Sequence, residues 1–491
     1  MSLITLKFFI FLCVTLIVFY TVPGKMQWMV LLAGSLIFYT YASPYYLIFL
    51  FASAVSTYGC ALLIEKNKLK RYLVLAVAIN MGILAVLKYT GFFAEIVNSI
   101  FKSNLPYLRF ILPLGISFYT FMVTSYVVDV YRGDVKAEKN FLKYLLYVSY
   151  FPQITEGPIN RYSHTAPQLH GEHDFDFDRC KRAGYRILLG LFKKVVIAGR
   201  FGVYVDRVFD NVQGFGGLTL LMAVLFYAIQ IYADFSGCMD MVMGISALFG
   251  VDMDENFDKP FFSKNVSEFW RRWHVTLGSW FRDYIYNPVF KSDFCRKIKS
   301  SLKNTPLKKK STNIIAAVAL ICVWLFTGIW HGAAMHYVLY GVYYGVILIF
   351  SMFMSNVYKK AHKKLPIKFN SKGYHFFEIV RTLFIVAIGF LIFRANNTGE
   401  IFYVLKAIVT KFSLSGAALA EAILPFTEDN TAVSYGAVAF IAAFAMFLAE
   451  ILEYNNIDIL KKHKYLCAAF LIVFTLLFGV FGESGFLYAA Y

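Results

Sequence analysis

Two histidines and three arginines stand out in a chain that is otherwise poor in charge. His331 lies in "VWLFTGIWHGAAMHYVLYGVYYG" (323–345), a nearly uncharged apolar stretch in which Gly328, Gly332, Ala333 and Ala334 crowd around it. An ionisable side chain within a membrane segment marks a functional site by default. Desolvation favours neutral imidazole, the form that a general base requires. A histidine hydrogen-bonded to a neighbouring helix is the plainer reading. His274 lies in "FWRRWHVTLGSWFRDYIYNPV" (269–289), together with Arg271, Arg272, Arg282 and Asp283. A guanidinium offers a planar fork to phosphate or carboxylate, and a histidine between apolar and polar surfaces is poised to move protons. Trp273 and Trp330 directly precede the two histidines and are candidate substrate-binding residues. His336 follows His331 by five residues, about 140° further round a helix, so the two form no i,i+4 metal pair, and no zinc-type spacing occurs.

These residues need elements to hold them. Val266, Phe269, Trp270, Trp273, Leu277, Trp280, Phe281 and Tyr284 are spaced by three, four and seven, which predicts one amphipathic helix over 266–284 along the cytoplasmic interface. Asn265 and Glu268 fit a capping box, Glu268 precedes Arg272 by one turn, and Pro288 is expected to stop the helix. Arg271 and Arg282, eleven residues apart, would share one face, with Arg272 and Asp283 beside them. A simple interfacial anchor would explain the stripe, but it gains nothing from Asp283.

The wider chain sets the medium. Of 491 residues 59% are hydrophobic, 19% aromatic and 16% charged, and the mean hydropathy is +0.58. Soluble domains carry roughly 25% charged residues. Apolar runs near 2–22, 26–42, 45–64, 70–88, 108–130, 218–235, 313–330, 335–356, 376–394, 432–452 and 464–482 predict about eleven spans of an all-α polytopic membrane protein. The stretches at 141–152, 183–200 and 238–250 are expected to be re-entrant or interfacial. The N-terminal run lacks a basic n-region and a small-residue cleavage site, so it reads as a span. No soluble domain or internal repeat interrupts the chain.

Basic loops at 65–71, 296–310, 359–373 and 461–464 belong on the cytoplasmic side, with both termini outside. They account for the net charge of +18 without nucleic acid. Seven scattered cysteines form no CxxC pair and suggest no disulfide framework. Glu156 and Asp234 are expected to line an internal cavity, and Glu450 and Glu453 to sit at an interface.

The stretch "NFDKPFFSKNVSEFWRRWHVTLGSWFRDYIYNP" (256–288) resembles the signature of the membrane-bound O-acyltransferase (MBOAT) superfamily, in its bacterial branch that modifies alginate and teichoic acid. "WHG" (330–332) looks like that family's catalytic-histidine motif. "FPQITEGPINRY" (151–162), "YADFSGCMDMVMGISALFG" (232–250) and "IFRANN" (392–397) are similar to further family blocks in the expected order. The C-terminal "GFLYAAY" (485–491) departs from the aromatic tail of alginate-type members.

The resemblance implies a helical ring around a central channel, a single domain over 1–491 with a core about 108–357, and His331 as catalytic residue with His274 at the cytoplasmic mouth. No bound cofactor is expected. A cytoplasmic acyl thioester, acetyl-CoA or a carrier-bound acyl group, would be the donor, with Arg271, Arg272 and Arg282 holding its phosphates. The expected activity is O-acetylation of an extracytoplasmic polysaccharide or peptidoglycan from the bacterial cytoplasmic membrane, with a separate esterase-like partner outside. D-alanyl transfer to teichoic acid is the alternative within the family, and a proton-coupled transporter the alternative outside it. Asp283 would pair with an arginine rather than act in the chemistry.

Overall fold

The computed structural model describes residues 3–107, 110–364, 369–426, 432–457 and 463–481. The variant tail at 485–491 and residues 461–462 of the basic loop at 461–464 lie outside the described residues. The helices run α1 Leu6–Thr21, α2 Gln27–Ala42, α3 Leu47–Asn67, α4 Lys70–Phe101, α5 Ile116–Arg132, α6 Phe141–Ser149, α7 Phe151–Ile154, α8 Tyr162–His170, α9 Phe177–Phe192, α10 Gly199–Asp210 and α11 Gly217–Leu248. They continue as α12 Val266–Arg272, α13 Val275–Phe281, α14 Asn287–Phe290, α15 Asp293–Ser301, α16 Ser311–His331, α17 Met335–Lys364, α18 Lys372–Arg394, α19 Thr398–Thr410, α20 Gly416–Ile423, α21 Ala432–Tyr454 and α22 Lys464–Phe478. One isolated antiparallel bridge, Phe257 to Trp273, is the sole extended pairing among the described residues.

Seven helices among the described residues are long and apolar enough to cross a membrane, so the protein is a multi-pass membrane protein. Four of the eleven expected spans fall short of that length. α1, α2, α5 and α22 have 16, 16, 17 and 15 residues. Pro23 closes the first apolar run, and α5 starts only after Gly115, which adopts a left-handed φ of +67°. The stretch 238–250 is not a separate re-entrant piece. It continues α11, a helix of 32 residues, in which a Cβ on Gly244 would lie 2.9 Å from the Ala183 carbonyl and Asp240 is ion-paired.

The chain forms two compact units, each assembled from separated segments. The first comprises 1–196, 234–255 and 463–491, and the second comprises 197–233 and 256–462. In the first unit Phe8, Phe38 and Phe151 of α1, α2 and α7 form one aromatic cluster, and Tyr126, Tyr144, Tyr147 and Tyr162 form another. Such offset and edge-on ring pairs add about 0.5–1.5 kcal/mol each beyond their burial.

The second unit contains every candidate site residue. Tyr204, Phe226, Phe426 and Phe440 pack together at one place, and Trp270, Trp324 and Tyr344 at another. Glu450, one turn from the end of α21, is buried within the protein, and Tyr232 donates to it at 2.6 Å. Glu453 is exposed and pairs with Lys259 at 3.2 Å.

Candidate active site

The single helix expected over 266–284 is broken in two. α12 ends at Arg272, and His274 adopts φ +49°, ψ +53°, a left-handed conformation that costs a non-glycine residue roughly 1–2 kcal/mol. A neighbouring segment compensates. Asp258 N–H donates to Arg272 C=O at 2.9 Å and Val275 N–H to Asn256 C=O at 3.0 Å, clipping the break between them. Apolar periodicity survives the break because both short helices bury the same stripe, so the spacing alone did not reveal it. The helix also runs past Pro288. Arg282–Tyr286 is a π turn that leads into α14, where proline is tolerated in the first turn.

Asn256 organises the break. Its side-chain oxygen accepts from Thr276 N–H at 3.1 Å, from the Thr276 hydroxyl at 2.9 Å and from His274 Nδ1 at 3.1 Å. A backbone N–H only donates, so the atom that it meets is the amide oxygen. His274 Nδ1 must then carry the proton, which makes Nε2 the accepting nitrogen of a neutral ring. Burial at 2% exposure pushes this imidazole well below its ordinary value and keeps it neutral. The sequence reading missed Asn256, although it is the first residue of the motif quoted above.

His331 is the last residue of α16 and is 5% exposed. Tyr340 and Phe393 stand edge-on to its ring at 5.5 and 5.1 Å between centroids, and Trp330 packs on it at 4.9 Å. Trp330 also meets His274, at 6.5 Å, so both imidazoles pack against one indole. Phe393 comes from the "IFRANN" block, whose role the sequence did not disclose. The turn after His331 is tight: a Cβ on Gly332 would lie 2.2 Å from the Tyr337 ring. His336 is the second residue of α17 and is also buried, so His331 and His336 lie on different helices and not round one.

The remaining candidates divide by partner. Arg272 pairs with Glu268 at 2.8 Å, the i,i+4 contact that the spacing predicts. Asn265 caps Glu268 N–H, and the Glu268 carboxylate accepts from Lys264 N–H, one residue before the position a capping box requires. Arg282 pairs with Asp283 at 3.0 Å. Arg271 is exposed, and no carboxylate among the described residues pairs with it. Arg271 and Arg282 therefore sit on separate elements, not on one helical face. Trp273 is 3% exposed and packs between Phe257, Phe269 and Phe390, inside the aromatic core.

The profile of the MBOAT, membrane-bound O-acyltransferase family matches residues 134–394, which contain both histidines and the clip between them. The chain belongs to this family. It is an acyltransferase, and the transporter alternative falls with that finding. Its relatives include the peptidoglycan O-acetyltransferase of Helicobacter pylori, 31% identical over 80% of this chain and 74% of that one. The probable alginate O-acetylase of Pseudomonas aeruginosa is 31% identical over 79% of this chain and 71% of its own. The teichoic acid D-alanyltransferase of Bacillus subtilis is 28% identical over 58% of this chain and 69% of its own. In this MBOAT member an acyl donor and an acceptor must meet, and no group of metal-ligating side chains occurs among the described residues.

Proposed function

We propose that the protein transfers an acetyl group from a cytoplasmic thioester to hydroxyls of an extracytoplasmic polysaccharide or peptidoglycan, acting from the bacterial cytoplasmic membrane. The observation that carries the mechanism is the placement of His331. It is buried at the end of α16 and held by Trp330, Tyr340 and Phe393, with His274 on the same indole.

His331 accepts the proton of an acceptor hydroxyl as its oxygen attacks the thioester carbonyl. The carbon–oxygen bond forms, the carbon–sulfur bond breaks, and the imidazolium returns the proton to the departing thiolate. The products are an ester and a thiol, and the ring is neutral again. His274, with its proton fixed on Nδ1, presents Nε2 as a second acceptor on the donor side. Arg271 has no carboxylate partner to displace and is the arginine best placed to hold a donor phosphate. Arg272 and Arg282 would first have to leave Glu268 and Asp283. Acetyl is preferred to D-alanyl because the O-acetylating relatives match more of this chain. A separate extracytoplasmic partner completes the delivery to the polymer.

The test uses sealed inside-out membrane vesicles containing the protein, supplied outside with labelled acetyl-CoA or a labelled acetylated carrier. Label recovered as base-labile ester on luminal glycan supports the reading. Label confined to free acetate, or transfer only of D-alanine, contradicts it.

A further inference from the structure

A second set of buried charges lies in the first unit, and acyl transfer makes no use of it. α9 packs on α11 through glycines: a Cβ on Gly190 would lie 2.4 Å from the Gly237 carbonyl, so the two backbones touch. α9 then widens into a π turn at Lys193–Ala198. Successive residues on an α-helix diverge by about 100°, yet Lys193 and Lys194 both reach α11 here, which the wider turn permits. Lys194 Nζ pairs with Asp234 at 2.5 Å and Lys193 Nζ with Asp240 at 2.7 Å. Asp240 also accepts from Arg186 Nε at 3.1 Å, and Arg186 grips Glu255 through two bonds of 2.7 and 2.6 Å. Side-chain exposure falls along this line, from 62% at Glu255 to 12% at Asp240 and 2% at Asp234.

Glu156 lies at the buried end. It is 1% exposed, and neither of its carboxyl oxygens is bonded by an N–H or O–H of the described residues. Asp234 and the Cys238 thiol face it from α11, and Lys194 faces it from the turn after α9. Two buried carboxyls thus face Lys194, and Asp234 holds it. An unpaired buried charge is far costlier than a neutral acid.

We propose that Glu156 is a proton-binding site, carried as the neutral acid at neutral pH and set beside the Asp234–Lys194 pair where α9 meets α11. Burial, with Asp234 adding to it, pushes this carboxyl up to about 8. Loss of the proton puts a second negative charge beside Asp234 and sets Glu156 in competition for Lys194. The contact between α9 and α11 thereby becomes sensitive to a single proton.

Infrared titration of the full-length protein in nanodiscs tests this, with carboxyl-13C-glutamate to identify the band. The expected result is a protonated-carboxyl C=O band at neutral pH that shifts with the label, disappears as pH rises through about 8, and is missing from Glu156→Gln. Glutamine copies the neutral acid, so that variant should fold and melt like the wild type at neutral pH. If it does not fold, Glu156→Asp must show the band free of the glutamate isotope shift. A wild-type spectrum with no label-sensitive band at neutral pH overturns the proposal. A band that Glu156→Gln retains overturns it too.

Discussion

Replacing Gly341 by alanine tests whether close packing of α16 against α17 sets the position of His331. A Cβ at Gly341 would lie 2.2 Å from the Trp324 carbonyl, where ordinary contact begins at 3.4 Å. The obstacle is helix backbone, which cannot swing aside, so the hairpin must open by about 1 Å. Gly328 adds to the constraint, since its own Cβ would meet the Tyr337 carbonyl at 2.4 Å. Forcing a methyl group into such a contact costs about 1–3 kcal/mol of stability. His331 lies two turns beyond Trp324 on the same helix, so the displacement reaches the imidazole. A misplacement of about 1 Å at a reacting group lowers the rate by about 100-fold. Base-labile acetyl esters in the cell envelope, normalised to the amount of folded protein, measure the activity, and thermal unfolding of the purified protein measures the stability. Gly82→Ala in α4 is the control: nothing lies within 4 Å of its Cβ, and it should keep activity and gain up to about 1 kcal/mol. Wild-type activity and melting temperature in Gly341→Ala would show that the α16–α17 contact does not set the position of His331.

Three further outcomes follow from the second unit. Asn256→Ala removes the acceptor of three hydrogen bonds, leaves buried donors unmet at about 1–3 kcal/mol each, and should lower both melting temperature and activity. His274 is held below its ordinary 6.5. On acidification below that value the unfolded ring takes up a proton that the folded ring refuses, so stability falls with pH by up to about 1.4 kcal/mol per unit. Melting curves from neutral to acid pH should show this slope, and His274→Asn should flatten it. Arg271→Ala should raise KM for a phosphate-bearing thioester with a smaller effect on kcat, and Arg282→Ala should do less because Asp283 already engages that guanidinium.

Much of the architecture is legible in the sequence because lipid leaves few choices. An apolar run of about 20 residues must be helical, and seven of the expected spans are helices of spanning length. Errors arose where local geometry overrides periodicity. The stripe over 266–284 is real, but periodicity reports which side is buried and is blind to a one-residue break, so the left-handed His274 and its Asn256 clip went unseen. Pairing by spacing succeeded for Glu268 with Arg272, where both residues lie on one regular helix. It failed for Arg271 with Arg282, where a break and a π turn intervene. Side chains brought in from distant segments, such as Phe393 beside His331 and Lys194 beside Asp234, leave no local trace.

The most direct test of the account is the ester content of the cell envelope in three strains: wild type, a deletion, and His331→Ala at matched protein level. Acetate released by mild base should fall to the deletion level in His331→Ala, with D-alanine unchanged. Acetate at the wild-type level in His331→Ala, alongside its loss in the deletion, would contradict the assignment of His331 as the catalytic base.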